Sequence, residues 1–316
     1  MNETAAAGLA QEQIAHFDQH GYLAVQDIFD DADLNPVIDE VNAEVNARAR
    51  ELVAAGELSR TYEECGFERQ LAMIHRETPK VTGAISDGKL CGPAFFNLIR
   101  NPKLLDIAEQ FCGPELIASS VYRLRPKVPH YVRGEVPWHQ DSGYTEAFCD
   151  GFLIMTVWLP LVNADAENGC LWVIPGVHKN DVMRHAVPLG NHYLEIPEPL
   201  LPPVKPVCVP VRKGGALFMT NMTPHASFEN KTEGVRWSMD LRYQSARLPT
   251  NAPITRLEGE IQGTPDWSIP MACFPPEADF LVRSKKRPHE IVSDPAEFHR
   301  LRKTHLSRSV TRRWDY

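Results

Sequence analysis

Apolar positions in the first third of the chain recur mostly at helical spacing. In "LAQEQIAHFDQHGYLAVQDIF" a short amphipathic stretch ends near His20 against Gly21, a helix stop, and the run that follows predicts a strand from Tyr22 to Phe29. Leu34, Val37, Ile38, Val41, Val45 and Leu52 then repeat at i, i+3, i+4 intervals. They predict one long helix, capped by Asp31 or Asp33 and laid over a sheet. A second helix is framed by Asn101 as cap, Pro102 in the first turn and Gly113 just past "KLLDIAEQFC".

From about Ile117 the pattern shortens. "LIASSVYRLR", "FLIMTVWLPLV", "CLWVIPG", "VKPVCVPV", "GALFMTNMT" and "VRWSMDLRYQ" are brief runs rich in Val, Ile, Leu, Trp and Phe, broken by Pro, Gly and Asn. Such spacing suggests an all-β sandwich or barrel. Leu248 to Pro276 is Pro-rich and aperiodic and reads as an extended excursion over the surface. A last helix is expected from Asp294, with Pro295 in its first turn, to His305. The expected fold is mainly β, with N-terminal helices packed on the sheet and a partly helical C-terminal extension. No flexible linker interrupts it, so residues 1–316 read as a single domain: a helical region 1–115, a β core 116–247 and an extension 248–316.

Composition narrows the function classes. The 316 residues are 43% hydrophobic and 23% charged, as in an ordinary globular protein. A formal net charge of -8 argues against general binding to nucleic acid or to an anionic membrane. There is no basic start followed by an apolar run, and no apolar segment reaches the roughly 18 residues that span a bilayer. The protein therefore reads as soluble, intracellular and cytoplasmic. Seven scattered cysteines without a C-x-x-C pair suggest reduced, mostly buried thiols, neither a disulfide framework nor a zinc site.

Candidate chemistry concentrates in two stretches. In "VPWHQDSGY", His139 and Asp141 stand two residues apart, and on extended chain, favoured before Pro137, their side chains converge on one point. Alone the pair is ordinary loop. His225, in "TPHASFEN" between two predicted strands, supplies a third ligand facing inward. Two histidines and one carboxylate take one face of an octahedral metal and leave three positions open, the arrangement of non-haem Fe(II) oxygenases. Structural zinc wants four ligands and more sulfur. Arg236, expected across a hairpin on the next strand, offers a planar fork to the far carboxylate of 2-oxoglutarate, and Ser227, on the His225 face, adds a hydroxyl. On a strand through "YRLRPK", Arg123, Arg125 and Lys127 share a face that suits an anionic group of a small-molecule substrate, although a solvated strand face is the plainer reading. Tyr144 is placed to cover the substrate.

Together these stretches resemble the phytanoyl-CoA dioxygenase family of Fe(II)- and 2-oxoglutarate-dependent oxygenases. The resemblance begins at "QIAHFDQHGYLAVQDIFDDADL", continues through "WHQD", "TVWLPLVNADAENGCLWVIPGVHK" and "PHASFEN", and closes on Arg236. It implies a double-stranded β-helix, or jelly roll, with His139, Asp141 and His225 as Fe(II) ligands, Arg236 as the 2-oxoglutarate anchor, and Ser227 and Trp158 as further contacts to the cosubstrate or pocket wall. It also implies consumption of O2, release of succinate and CO2, and hydroxylation of a C–H bond in a small molecule, with desaturation, epimerisation and ring closure as variants. One departure is "PGVHK", where Val177 stands in place of the usual small hydroxyl residue. His178 is then expected as a loop residue near the pocket mouth and not as a ligand. Related halogenases carry a small residue where this chain has Asp141, which argues against halogenation. Two rival readings are a non-catalytic metal-binding β-barrel and a zinc hydrolase, and neither gives Arg236 a role.

Overall fold

The computed structural model describes residues 8–86, 90–131, 134–145, 147–186, 193–248 and 279–306. Helix α1 (Gln11–His20) ends where Gly21 takes φ 81°, its N–H bonded to Phe17 O at 2.8 Å. Strand β1 (Tyr22–Val25) is shorter than the expected run to Phe29. Asp27 adopts a left-handed φ of 57°, and the Ile28 and Phe29 amides turn to Gly214 O instead of extending the ladder.

Helix α2 (Asp31–Ala54) is capped by Asp30 and not by Asp31 or Asp33. Asp30 accepts from the Asp33 amide while Asp33 accepts from the Asp30 amide, a reciprocal box that leaves Asp31 at the first helical position. The short helices α3 (Gln70–Glu77), α4 (Lys80–Ser86) and α5 (Pro93–Ile99) follow, then α6 (Pro102–Cys112) with the expected Asn101 cap and Gly113 end. Helix α2 covers the sheet as expected: Leu34, Val37, Val41 and Val45 share one hydrophobic core with the strand residues Val157, Phe218 and Leu241. It also packs on α4 and α5, while α4 meets the strand Arg123–Lys127 and α6 meets the strands Leu116–Ser119 and Arg236–Ser245.

The remaining strands are β2 (Leu116–Ser119), β3 (Arg123–Lys127), β4 (Val136–His139), β5 (Ile154–Pro160), β6 (Leu171–Val173), β7 (Val207–Val209), β8 (Ala216–Met219), β9 (His225–Ser227), β10 (Arg236–Ser245) and β11 (Asp279–Arg283), before α7 (Pro295–Leu306). They form two antiparallel sheets. The larger runs β1-β8-β5-β10-β2-β11, with β3 also paired to β10, and the smaller runs β4-β9-β6-β7. The strand pattern predicts a β sandwich or barrel, and the two sheets are consistent with the jelly-roll core that the family resemblance implies.

The run "LIASSVYRLR" is interrupted. Its halves, β2 and β3, pair with successive parts of β10, and the carbonyls of Ser120 and Tyr122 in the gap accept from Arg302 of α7 at 3.0 and 2.9 Å. A buried guanidinium thus satisfies the carbonyls that the ladder loses there. The Leu248 to Pro276 segment, except Leu248, and the tail from residue 307 lie outside the described residues. Among the described residues no helix is long and apolar enough to cross a membrane.

Strand β10 connects core to site. Trp237, Met239, Leu241 and Tyr243 enter the main hydrophobic core with the helices, and each such burial stabilises by about 1.5–3 kcal/mol. The Trp237 indole donates to Phe67 O and the Tyr243 hydroxyl to Ile99 O, so the polar tips on that face are satisfied. The alternate residues Arg236, Ser238, Asp240 and Arg242 therefore face the opposite way, into the space between the sheets.

Candidate metal centre

Strand β4 ends at His139, Gln140 remains extended (φ -107°, ψ 141°), and a 3-10 turn begins at Asp141. The extended Gln140 is what lets the His139 and Asp141 side chains converge. Gln140 is itself pinned: its N–H donates to His185 Nε2 at 2.9 Å, its amide nitrogen to Met222 O at 2.8 Å, and its amide oxygen accepts from Met183 N at 2.8 Å. Ser142 is held by Asn221, whose side chain also accepts from the Ile154 amide. The loop bearing the two residues is thereby fixed to both neighbouring strands' ends.

His225 opens β9 and is the direct ladder partner of His139, with ring centroids 4.2 Å apart. One ligand atom from each of His139, Asp141 and His225 lies within 4.8 Å of the other two, and all three residues are buried. The Nδ1 atoms of His139 and His225 lie 2.8 and 3.0 Å from the carbonyls of Pro137 and Thr223. A carbonyl only accepts, so each Nδ1 carries the proton and each neutral ring presents an Nε2 lone pair. Those Nε2 atoms stand 3.8 and 4.0 Å from Asp141 Oδ1, too far to hydrogen-bond and arranged about a common centre.

Protonation states agree with that geometry. Burial first, and then the neighbouring His225, push the His139 imidazole well below its ordinary value, against the pull of Asp141. Burial would raise the Asp141 carboxyl, but Arg242, the two histidines and the Thr156 hydroxyl outweigh it and hold the acid below the usual carboxylate range. Two imidazoles that turn Nε2 to the centre and an ionised carboxylate, with no sulfur, suit a divalent iron and not a thiolate-loving metal.

Arg236, Trp158 and Ser227 line the same cavity as the three ligands. Arg236 does not lie across a hairpin from His225 as expected, because β9 and β10 belong to different sheets and the chain crosses from one to the other between them. The guanidinium is nonetheless brought to the site. Its Nη2 donates to Ser227 Oγ at 3.2 Å, its Nη1 to Ser238 Oγ, and its carbon lies 5.2 Å from the Trp158 ring centre. It is 1% exposed, it makes no ion pair among the described residues, and its Nε has no partner there. Burial pulls it down to about 10 despite Asp240 nearby. Asp240 is taken up by Arg125, and a buried guanidinium facing a cavity without an ion-pair partner among the described residues fits a ligand that brings a carboxylate. Ser227 donates its own hydrogen to Gly169 O at 2.9 Å, so it orients Arg236.

The other sequence candidates separate. Arg125 reaches the cavity, bonded to Asp240 at 2.5 Å, with Asp240 overcoming the effect of burial to raise it. Tyr144 stands edge-on to His139 at 5.7 Å and accepts from Leu194 N. Lys127 faces elsewhere than expected: its buried Nζ donates to the carbonyls of Ser227 and Phe228 at 3.0 and 2.7 Å and braces the end of β9. His178 packs against Gly21 and bonds Asp18 O, away from the cavity. Two residues in contact with Asp141 had no place in the sequence reading, Arg242 and Thr156. The signal for Arg242 was the strict polar alternation Arg236, Ser238, Asp240, Arg242 in a strand whose other face is apolar.

A family model described as phytanoyl-CoA dioxygenase (PhyH) matches residues 17–238. By class the protein is a non-haem iron, 2-oxoglutarate-dependent oxygenase. The chain belongs to the phytanoyl-CoA dioxygenase family. It is 26% identical over 246 residues to the peroxisomal phytanoyl-CoA dioxygenase of Mus musculus, covering 75% of this chain and 69% of the relative. It is 23% identical to the phytanoyl-CoA dioxygenase of Arabidopsis thaliana, covering 76% of this chain and 95% of that one. The structure of the non-haem monooxygenase ThoJ superposes with a TM-score of 0.55 at 17% identity, over 92% of this chain and 96% of that chain, and shows the shared fold.

Proposed function

We propose that this chain hydroxylates an unactivated C–H bond of a small-molecule substrate, using His139, Asp141 and His225 to hold Fe(II) and Arg236 to hold 2-oxoglutarate. The observation that carries the reading is Arg236: a buried guanidinium, without an ion-pair partner among the described residues, on the wall of the cavity that contains the three ligands. A zinc hydrolase or an inert metal-binding barrel would leave that buried charge without a purpose, at a cost of several kcal/mol.

When bound, iron with 2-oxoglutarate and O2 supplies the oxidising power, as 2-oxoglutarate is decarboxylated to succinate and CO2 and one oxygen atom goes to the substrate. The protein's own residues position and exclude. Pro137 O and Thr223 O fix both imidazoles in the tautomer that presents Nε2. Trp158 stacks beside the Arg236 guanidinium and keeps water from it, and Ser227 and Ser238 set the direction of its fork. Arg125, on the cavity wall, offers substrate a cation already paired with Asp240, and Tyr144 stands beside His139 to cover it. We also take the chain as one catalytic domain, since a single hydrophobic core joins residues of α2, α5, α6 and α7 to β5 and β10.

The test supplies the purified chain with Fe(II), 2-oxoglutarate, 18O2 and a panel of small molecules. The reading expects succinate and one 18O-bearing product in equal amounts for at least one substrate class. Product formation that needs zinc and no 2-oxoglutarate would contradict it.

A further inference from the structure

The two carboxylate oxygens of Asp141 have different surroundings. Oδ1 faces the Nε2 atoms of His139 and His225. Oδ2 accepts from Arg242 Nη2 at 2.9 Å and from the Thr156 hydroxyl. Arg242 and Thr156 are direct partners in the β5–β10 ladder of the larger sheet, whereas Asp141 follows β4 of the smaller one. The two donors thus share one rigid position that does not depend on the loop carrying the acid. All three side chains are buried.

We propose that Arg242 and Thr156 form an oxyanion cradle that takes Oδ2 and makes Asp141 a one-oxygen ligand of the metal. The inference rests on the assignment of His139, Asp141 and His225 as the metal site. A carboxylate free to turn can ligate through both oxygens and fill an extra position. With Oδ2 committed to two donors, Oδ1 alone is presented, and three positions stay available for the keto acid and oxygen. Arg242 and Thr156 are positioning residues: they act through Asp141.

A second consequence follows from the cradle belonging to the opposite sheet. Removing the Asp141 side chain leaves a guanidinium and a hydroxyl aimed at a buried vacancy beside the two imidazoles. A guanidinium paired with a hydroxyl donor in a low-dielectric site binds a small oxyanion. Formate reproduces the lost carboxyl group in size and charge, so in Asp141→Ala it occupies the cradle with one oxygen and offers the other to the metal.

The experiment uses the full chain with Co(II), reading affinity by calorimetry and ligand geometry by the visible absorption of Co(II), without turnover. Thr156→Val, which removes one donor at nearly constant shape, is expected to weaken Co(II) about tenfold and to alter its spectrum. Arg242→Met is expected to weaken it further, with part recovered in Arg242→Lys. Asp141→Ala is expected to bind Co(II) weakly and to regain affinity in millimolar formate, while Asp141→Ala/Arg242→Met and Asp141→Ala/Thr156→Val regain less or none. Should the Arg242→Met chains fail to fold, the Thr156→Val pair decides. Wild-type affinity and spectrum in the cradle variants, or equal formate rescue with and without the cradle, overturns this proposal and leaves the metal assignment standing. A wild-type chain that binds no Co(II) overturns both.

Discussion

His139 and His225, far apart in the chain, are direct partners across the β4–β9 ladder, and each ring hands its Nδ1 hydrogen to the carbonyl two residues before it. One backbone arrangement, repeated on two strands, sets both tautomers. Two-bond proton–nitrogen NMR correlations on the metal-free chain should therefore show both rings protonated at Nδ1. His139 should stay neutral as the pH falls below 6.5, because burial and then His225 push it down. Protonation at Nε2 in either ring would contradict this account of the site.

Arg236 makes no ion pair among the described residues, so its contribution should appear only with the cosubstrate. Arg236→Lys keeps the charge but loses the planar fork and its bonds to Ser227 and Ser238. The expected outcome is a rise of about 10- to 100-fold in the dissociation constant for 2-oxoglutarate, with metal affinity unchanged. Calorimetry of 2-oxoglutarate into the metal-loaded chain checks it, and equal affinity would remove Arg236 from the anchor role.

Gly143 has no room for a side chain. A Cβ there would come within 2.7 Å of His185 Nε2, the atom that accepts the Gln140 amide between the two ligands. Gly143→Ala should cost about 1–3 kcal/mol of stability through overpacking and should also weaken metal binding. A variant that loses stability at full metal affinity would show that this contact serves packing alone.

Much of this arrangement was legible in the sequence, and the reasons differ by element. Helix α6 carried its own start and stop in Asn101, Pro102 and Gly113, so local chemistry alone defined it. That His139, Asp141, His225 and Arg236 belong together was legible from their combination, since the pair at 139 and 141 alone reads as ordinary loop, and the structure brings all four to one cavity. Helices α3, α4 and α5 are only seven or eight residues long, too short for a periodicity to emerge above noise. The role of Lys127 was misjudged because strand alternation says which residues share a face but not which carbonyls that face meets. The Arg242 contact depends on the closing of one sheet over the other, which no local pattern encodes.

Lys127 gives the fold a pH dependence of known sign. Burial, and after it the Arg236 guanidinium, push its ammonium down to about 6 from an ordinary 10.5. Between those values the unfolded chain binds more protons than the folded one, so this group makes stability rise with pH across that window and fall toward its lower end. The slope reaches at most about 1.4 kcal/mol per pH unit. In Lys127→Met the slope from this group vanishes, while the carbonyls of Ser227 and Phe228 lose their donor at any pH. Urea unfolding of both chains from pH 6.5 to 9.5 should show the wild-type advantage growing with pH, and a constant difference would contradict the assignment.

The central claim is that His139, Asp141 and His225 hold Fe(II) while Arg236 holds 2-oxoglutarate against it. Anaerobic addition of Fe(II) and 2-oxoglutarate to the full chain, followed by visible absorption, tests that claim directly. The account predicts a charge-transfer band that needs both additions, saturates at one equivalent of iron and is lost in Asp141→Ala. No band in the wild-type chain, or the same band in Asp141→Ala, would contradict it.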